Sequence, residues 1–374
     1  MQNKLFIKSR RARNTPFSRR VEAAGVSGYT MYNHMLLPAV FKSPEEDYKH
    51  LCEHVQVWDV SCERQVEITG PDAAKLVQLM TPRDLSKIDL LQGKYAPICN
   101  AEGFILNDPI VIKLTADRWW VSIADSDIKL FAQGLAQGYG IDAKVFEPDV
   151  FPLAVQGPKS DELMARVFGD KVRDIRFFRG EMLPFQGIEM YVARSGWSKQ
   201  GGFEIYVPKV SVAEPLWDEL FAQGTDLNVR AGCPNSIERI EAGLLSYGTD
   251  MDEFDTPLEC GLDNYLNLDA DIESLSIAAL RAKVGKQTRK LVGLAFDKPI
   301  DMQDSQNHIG GFDVYVNDDY VGEVRAQVWS VRYNKLLVHA MINMDYLNDN
   351  DSLTVGGQTS KFLTIPFDPK DFDV

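Results

Sequence analysis

Residues Ser195 to Tyr206 read S-G-W-S-K-Q-G-G-F-E-I-Y, a glycine-rich turn followed by a short predicted strand. In an extended strand the side chains alternate, so Glu204 and Tyr206 share one face. Phe203 and Ile205 share the other. The glycines would let the backbone approach a ligand closely beside this carboxylate and phenol. Taken alone, the segment is more typical of an ordinary β-hairpin with a solvated glutamate, so its companion motifs decide its meaning.

The chain is long and acidic. Its 374 residues, 45% of them hydrophobic, predict two or three domains with ample cores. The formal charge of −14 repels phosphate backbones, so the N-terminal arginines (10, 11, 13, 19 and 20) are interpreted as a local cluster. Nucleic acid is therefore not an expected partner. No apolar run is long enough to span a bilayer or follows the basic N-terminus, so we expect neither membrane insertion nor secretion.

The cysteines and histidines show no metal-binding pattern. Five cysteines are scattered without C-x-x-C spacing, and the five histidines lack H-E-x-x-H. We expect a reduced, cytoplasmic protein without a metal. Neither a G-x-G-x-x-G motif after a strand, nor a P-loop, nor a G-x-S-x-G elbow occurs, so the commonest nucleotide-binding and hydrolase signatures are excluded.

Mixed helices and strands without regular β-α-β alternation predict an α+β fold. Ser43 is a suitable N-cap for a helix from Pro44 to His54, and Gln65 to Ile68 alternate as a strand. V-E-I-T-G-P at 66–71 is echoed by P-L-A-V-Q-G-P at 152–158, which indicates two related halves.

A third unit follows these halves. A helix that starts at Asn235 or Ser236 is predicted to end at Gly248. From Leu291 onward the chain consists of short strands and turns, which predict a small β-barrel or sandwich. We expect boundaries that give 1–148 and 149–288 as the two α+β subdomains and 289–374 as the C-terminal β-barrel domain.

In this order, the motifs resemble those of the aminomethyltransferase (T protein) superfamily of folate-dependent enzymes over nearly the full chain. The matching segments are G-F-I-L-N-D-P-I-V at 103–111, G-W-S-K-Q-G-G-F-E-I-Y at 196–206 and I-E-R-I-E-A-G-L-L-S-Y-G at 237–248. R-K-L-V-G-L at 289–294 lies where the superfamily's C-terminal domain begins. The resemblance implies the superfamily's folate-binding fold, with two related α+β subdomains and a small C-terminal barrel.

Within the superfamily, the chain is most similar to the dimethylsulfoniopropionate demethylase branch. The similar segments include Y-N-H-M-L-L-P at 32–38, H-V-Q-V-W-D-V-S-C at 54–62, A-V-Q-G-P at 154–158 and A-G-C-P-N-S-I-E-R-I-E at 231–241. Asn235 stands where glycine-cleavage enzymes have an arginine, which argues against aminomethyl-lipoyl chemistry. The K-G-C-Y-x-G-Q motif of the iron-sulfur maintenance branch is absent.

The resemblance implies direct transfer of a sulfonium methyl group to N5 of tetrahydrofolate, the co-substrate. A sulfonium is already cationic, so the enzyme mainly has to align N5, carbon and sulfur, and such alignment contributes about 7–11 kcal/mol. Two alternatives stay open. One is an aminomethyltransferase or amine demethylase of the same superfamily, and the other is a folate-binding protein without turnover.

The resemblance also implies roles for individual residues. Trp197, Tyr206 and Phe17 would surround the sulfonium with aromatic faces. Glu204 would accept hydrogen bonds from the pterin, with Tyr206 beside it at both ligands. Asp108 would lie near the reacting folate nitrogens and, with Tyr206, be catalytic. The alternative reading of Asp108 is a turn residue before Pro109.

Three further residues complete the predicted site. Ser122 would bind the substrate or Asp108, and Tyr95 and Ile98 would flank the folate rings. Core packing is the alternative for Ile98, as it is for Phe17, and a structural role is the alternative for Ser122. Lys199, Arg83 and the N-terminal arginines are candidates for binding the ligand carboxylates. A homodimer is left open.

Overall fold

The computed structural model describes residues 11–300, 312–348 and 352–372. The α-helices of these residues are α1 (Ser18–Ala23), α2 (Pro44–Glu53), α3 (Ala73–Met80), α4 (Ile128–Gly138), α5 (Ser160–Phe168), α6 (Val210–Gln223), α7 (Ser236–Ala242) and α8 (Ile277–Lys283). Within those ranges, no helix has the length and apolar character needed to cross a membrane.

The strands fall into three large sheets and two small ribbons. In the N-terminal part they are β1 (Gly28–Tyr32), β2 (Met35–Val40), β3 (Val55–Asp59), β4 (Gln65–Thr69), β5 (Gln92–Tyr95), β6 (Ile98–Cys99), β7 (Ile105–Asn107), β8 (Ile110–Thr115), β9 (Arg118–Ser122) and β10 (Lys144–Phe146). The remaining strands are β11 (Phe151–Gln156), β12 (Gly180–Phe185), β13 (Ile188–Ala193), β14 (Gly202–Val207), β15 (Val229–Gly232), β16 (Arg289–Phe296), β17 (Asp313–Val316), β18 (Asp319–Ser330), β19 (Lys335–Asn343), β20 (Leu353–Val355) and β21 (Gln358–Ser360).

Two sheets, one mixed and one antiparallel, pack against helices and form the first two thirds of the chain. One has the order β12-β13-β14-β11-β3-β15, and the other has the order β10-β4-β9-β8-β5. The first sheet buries Phe203 and Ile205 in a core shared with α5 and α6, while Tyr206 packs on the opposite side against Trp120. The alternation predicted for the segment 203–206 is therefore confirmed.

The C-terminal strands form a third sheet with the order β16-β19-β18-β17-β20-β21. The sheet curls until its two edges approach each other, where the Ala295 N–H donates a hydrogen bond to the Ser360 hydroxyl over 3.1 Å. An isolated backbone bridge between Gly293 and Leu363, with hydrogen bonds of 2.9 and 2.7 Å, lies near this contact. No continuous strand ladder joins the two edges in the described residues, so the predicted barrel is a half-barrel.

The helix predicted from Ser43 is confirmed, and the Ser43 hydroxyl accepts a hydrogen bond from the Glu46 N–H. The helix predicted to end at Gly248 is shorter than expected. It ends at Ala242, because Gly243 adopts a left-handed conformation with φ +65° and a Cβ there would lie 2.6 Å from Pro366.

The predicted boundaries near 148 and 288 stay a prediction. The first sheet crosses the earlier boundary, since β3 pairs with both β11 and β15. Phe17 likewise contributes to the core beneath that sheet. Phe17 and β3, although early in the sequence, therefore pack with the sheet of the second α+β unit.

Candidate active site

A cavity of about 560 Å³ is lined by both α+β units and by the C-terminal region. In the first α+β unit, Asp108 follows β7 and Ser122 ends β9. In the second unit, Glu204 lies on β14 and Trp197 lies on the loop before that strand. Ile365 and Pro366, which follow the half-barrel strands, complete the wall. The cavity therefore exists only when all parts of the chain are in place.

Glu204 on β14 is held by its own loop. The Ser195 hydroxyl donates a hydrogen bond to its carboxylate, which is 8% exposed. Burial raises the pKa of Glu204, while hydrogen bonds from Ser195 and Tyr206 lower it in part. The carboxylate is thus oriented before any ligand arrives, with acceptor capacity left for donors in the cavity.

Asp108, which follows β7, is held by two contacts from distant parts of the chain. The Tyr95 hydroxyl donates to its carboxylate over 3.2 Å, and the Tyr247 N–H donates over 3.4 Å. Burial raises the pKa of Asp108 to about 7, against the opposing effect of these hydrogen bonds. A carboxyl group with this pKa can exchange a proton near neutral pH.

Trp197 lies on the glycine-rich loop and lines the cavity. The loop is closed against Gln156, whose side-chain amide donates to the Ser195 carbonyl over 3.0 Å and accepts from the Ser198 hydroxyl over 2.8 Å. Gly196 has φ +143°, and a Cβ there would lie 1.9 Å from the Gln156 amide nitrogen. Only glycine allows this approach.

A buried ionic cluster lies behind Trp197. The Arg239 guanidinium is 5.7 Å from the centroid of the Trp197 ring and pairs with Asp250 over 2.6 Å. Asp250 also contacts the His339 ring over 2.8 Å and accepts a hydrogen bond from the Ser246 N–H over 2.8 Å. This cluster joins the half-barrel, which carries His339, to the cavity wall at Ser246.

Five of the eight predicted site residues line the cavity together, with Lys199 beside them: Tyr95, Asp108, Ser122, Trp197 and Glu204. Tyr206 lies directly behind the lining, 2% exposed, with its ring stacked on Trp120 at 5.5 Å. Hydrogen bonds link Tyr206 to Glu204 and to Ser122, so it contacts the lining from behind.

Phe17 and Ile98 lie in hydrophobic cores, at 0% and 1% exposure, and are not in the cavity lining. Both side chains therefore lie where the alternative interpretation, core packing, would put them. Arg83 donates to the Tyr95 carbonyl. Of the N-terminal arginines, Arg13 pairs with Glu147, while residue 10 is outside the described residues.

Several lining residues were not singled out from the sequence. Tyr32 comes from the β1-β2 hairpin, Glu63 from the turn between β3 and β4, and Phe177 and Phe178 from the turn before β12. Phe178 has φ +57°, an unusual conformation for a bulky residue. Tyr32 does belong to the quoted Y-N-H-M-L-L-P segment, so a signal for it was present.

No group of three or more His, Cys, Asp or Glu side chains in residues 11–300, 312–348 and 352–372 is arranged to hold a metal. The cysteines at the cavity, Cys62 and Cys260, are free and buried. Burial raises the pKa of both thiols well above the ordinary value, so neither is a ready metal ligand.

Comparison with known proteins fits this arrangement of sheets and cavity. A family model described as the GCVT N-terminal domain matches residues 17–270. The chain belongs to the GCVT family. One member, dimethylsulfoniopropionate demethylase DmdA of Ruegeria pomeroyi, is 59% identical over 286 residues, which cover 76% of this chain and 79% of the relative. The aminomethyltransferase of a Thermoanaerobacter species is 26% identical over 88% of this chain and 90% of its own.

A solved structure confirms the predicted fold of this GCVT-family protein. The glycine cleavage system aminomethyltransferase T from Bartonella henselae superimposes with a TM-score of 0.81 and covers 95% of this chain and 98% of its own. At 21% sequence identity it shows the fold alone. Asn235, where glycine-cleavage enzymes are expected to have arginine, caps α7 through the Ile237 and Glu238 N–H groups and is 5% exposed.

Proposed function

We propose that this protein transfers a methyl group from dimethylsulfoniopropionate to N5 of tetrahydrofolate, giving 3-methylthiopropionate and 5-methyltetrahydrofolate. The observation that carries the proposal is an acidic cavity with an aromatic wall, in a chain 59% identical to a dimethylsulfoniopropionate demethylase. Asp108, Glu204 and Glu63 line it with Trp197. Such a cavity attracts a cationic group more strongly than a neutral one.

The residues present fit a reduced pterin. Glu204 is fixed by Ser195 and has oxygens available for a pair of N–H donors, which the pterin edge supplies. Ser122 accepts a hydrogen bond from the Gln65 side-chain amide over 2.8 Å, so its hydroxyl proton is oriented away from that amide. Tetrahydrofolate supplies N5 as the nucleophile when bound. The protein has to orient that atom and exclude water from it.

The reaction balances without a metal or an oxidant. The N5–carbon bond forms as the carbon–sulfur bond breaks, and the electron pair of that bond returns to sulfur as the neutral sulfide. N5 is then positively charged and still bears its original proton. A base must accept that proton to give neutral 5-methyltetrahydrofolate. Asp108, with a pKa of about 7, has the proton affinity for this step near neutral pH.

Turnover with purified components tests the proposal. The protein is incubated anaerobically with tetrahydrofolate and dimethylsulfoniopropionate, and both products are measured by mass spectrometry. We expect the two products to appear in equal amounts. Folate binding without product would exclude the demethylase, and aminomethyl transfer from a lipoylated carrier would favour an aminomethyltransferase. An Asp108→Asn preparation is the matched control for contaminating activity.

The setting of this reaction is part of the proposal. Five free cysteines support a reducing compartment, and we place the protein in the cytoplasm with small molecules as its ligands. A homodimer remains an option that the monomeric cavity does not require. Light scattering at working concentration distinguishes a monomer from a dimer, and fractionation of the producing cells tests the location.

A further inference from the structure

The three carboxylates of the cavity differ in how they are held. Asp108 is bound by Tyr95 and Tyr247, and Glu204 is bound by Ser195. The Glu63 carboxylate has no hydrogen bond and no ion pair to any residue that the structure describes. Its backbone is fixed nonetheless, because the Glu63 N–H donates to the Val60 carbonyl over 2.9 Å.

An unengaged carboxylate in such a place costs stability. Burial raises the pKa of Glu63 well above its ordinary value, and the neighbouring carboxylates of Glu204 and Asp108 raise it further. Glu63 is half-buried at the cavity wall, and the two further carboxylates beside it bring like charges together at a cost. A group held here at a cost, facing a cavity, is therefore a candidate for contact with a ligand.

The other lining groups narrow the chemistry of that ligand. Lys199 is the one basic residue among the described residues of the lining, and its side chain is exposed. Lys199 can pair with the substrate's own carboxylate, which leaves Glu63 without a protein cation. Among the described lining residues no second cation remains for Glu63, so a cationic group of the ligand can serve as its partner.

We infer that Glu63 is the counter-ion of the substrate's sulfonium and makes the cavity select a cation over a neutral group of the same shape. The inference rests on the proposed function and deepens it. Trp197 offers an aromatic face worth about 0.5–2 kcal/mol to a cation, but such a face also accepts neutral methyl groups. A charge is what separates the two classes of ligand.

Binding should then be linked to proton release. The titratable groups that interact electrostatically with Glu63 are Glu204, Asp108, Tyr32, Tyr206 and Cys62, and the charged Lys199 lines the same cavity. With its raised pKa, Glu63 keeps its proton to a higher pH than an ordinary glutamate when the cavity holds no ligand. A cation stabilises the carboxylate form, so cation binding expels a proton and becomes tighter as pH rises.

Two ligands of the same shape isolate this effect. In 4-methylpentanoate a neutral CH group replaces the S⁺ of dimethylsulfoniopropionate, and the rest of the molecule is unchanged. Both are titrated calorimetrically into the full-length protein, into Glu63→Gln and into Glu102→Gln, in buffers of different ionisation enthalpy. Glu102 is exposed and outside the cavity lining, so it is a matched control for the loss of one carboxylate.

We expect Glu63→Gln to weaken binding of dimethylsulfoniopropionate about tenfold or more. It should leave the affinity for 4-methylpentanoate unchanged, which also shows that the variant is folded. Proton release with the sulfonium should disappear in Glu63→Gln and persist in Glu102→Gln. Equal weakening of both ligands, or an unchanged affinity for the sulfonium, would overturn the inference.

The failure of the proposed function gives a different result. If the unmodified protein binds dimethylsulfoniopropionate with the Glu63-dependent selectivity but forms no methylated folate, the reaction is wrong and the counter-ion stands. If the unmodified protein does not prefer the sulfonium over 4-methylpentanoate, the counter-ion is wrong. Product formation is measured on the same preparations, so the two results are read independently.

Discussion

Glu204 and Asp108 both place a carboxylate at the cavity, but the contacts that hold them differ in range. Glu204 is bound by Ser195, nine residues earlier on the same loop and strand. Asp108 accepts its backbone hydrogen bond from Tyr247, 139 residues later. We call the Glu204 side of the cavity the local wall, because the contact that holds Glu204 comes from the same loop and strand. We call the Asp108 side the distant wall, because its backbone hydrogen bond comes from a distant part of the chain.

The largest expected effect on catalysis comes from replacing Asp108, the carboxylate of the distant wall. Asp108→Asn removes the proposed proton acceptor, and we expect kcat/KM to fall about 100-fold or more. In the unmodified protein, kcat/KM should decrease as pH falls below about 7, because Asp108 becomes protonated. The variant should lose this dependence. Steady-state kinetics from pH 5 to 9 provide the measurement, in the range where the carboxyl of Asp108 titrates.

The same variant has a checkable sign for stability. The folded-state pKa of Asp108 is raised above its unfolded value, so its contribution is favourable at low pH and is lost as pH rises through about 7. Asp108→Asn should therefore be the more stable protein at pH values above 7. Asp117→Asn, an exposed change in the β8-β9 turn, is the control. Unimpaired turnover by Asp108→Asn would remove the residue from the mechanism.

A second change affects the segment that holds Asp108 in the distant wall. Asp250 accepts a hydrogen bond from the Ser246 N–H, and the next residue, Tyr247, donates to Asp108. Asp250→Ala leaves the buried Arg239 charge without its partner, and we expect a loss of about 3–5 kcal/mol in the free energy of unfolding. Burial opposes ionisation of Asp250, but the His339 hydrogen bond and the Arg239 charge hold its pKa below the ordinary value. The stabilisation is therefore present at neutral pH and lost in acid.

Urea unfolding at neutral and acidic pH measures both effects. Asp252→Ala is the matched control, because its Arg325 partner is shared and its side chain is 36% exposed, so we expect about 1 kcal/mol or less. If the two variants lost similar amounts of unfolding free energy, the buried Arg239–Asp250 pair would contribute no more to stability than the partly exposed pair of Asp252.

The local wall is tested through Glu204→Gln, which keeps the shape and removes the charge. Loss of charged hydrogen bonds of about 1.5–3 kcal/mol should raise the KM for tetrahydrofolate about 10- to 100-fold. The KM for the sulfonium should change little. Glu189→Gln, at an exposed position of the same sheet, is the control. A larger change in the sulfonium KM would contradict the assignment of Glu204 to the pterin.

Trp197→Ala, on the same loop, sharpens the division between the ligands. The loss of a cation–aromatic contact of about 0.5–2 kcal/mol should raise the sulfonium KM up to about 30-fold. The folate KM should rise far less. Trp197→Phe keeps an aromatic face and should recover part of the loss. Equal changes in both KM values would show that the ring serves the loop and not the sulfonium.

The contrast in contact range also explains what the sequence could predict. The alternation of residues 203–206, the helix start at Pro44 and the α+β class depend on neighbouring residues, and all three agree with the structure. The early end of α7 depends on Pro366, more than a hundred residues away, which packs against Gly243. Sequence spacing alone carries no sign of that contact.

The candidate site divides in the same way. Asp108, Glu204 and Trp197 could be placed together because each lies in a recognisable motif. Phe17 and Ile98 are apolar side chains, and nothing local decides whether such a side chain faces a core or a cavity. Glu63 was missed because a lone glutamate after a strand is ordinary until its lack of partners is seen in three dimensions.

The wall formed by Ile365 and Pro366 has a consequence for the order of events in folding. Tyr32 and Pro366 line one cavity from nearly opposite ends of the described chain. A partly synthesised chain therefore has no complete ligand site, and its first unit must reach its native form without help from substrate or folate. Ligand stabilisation comes only after the last strands have docked, and it then protects every part of the molecule at once.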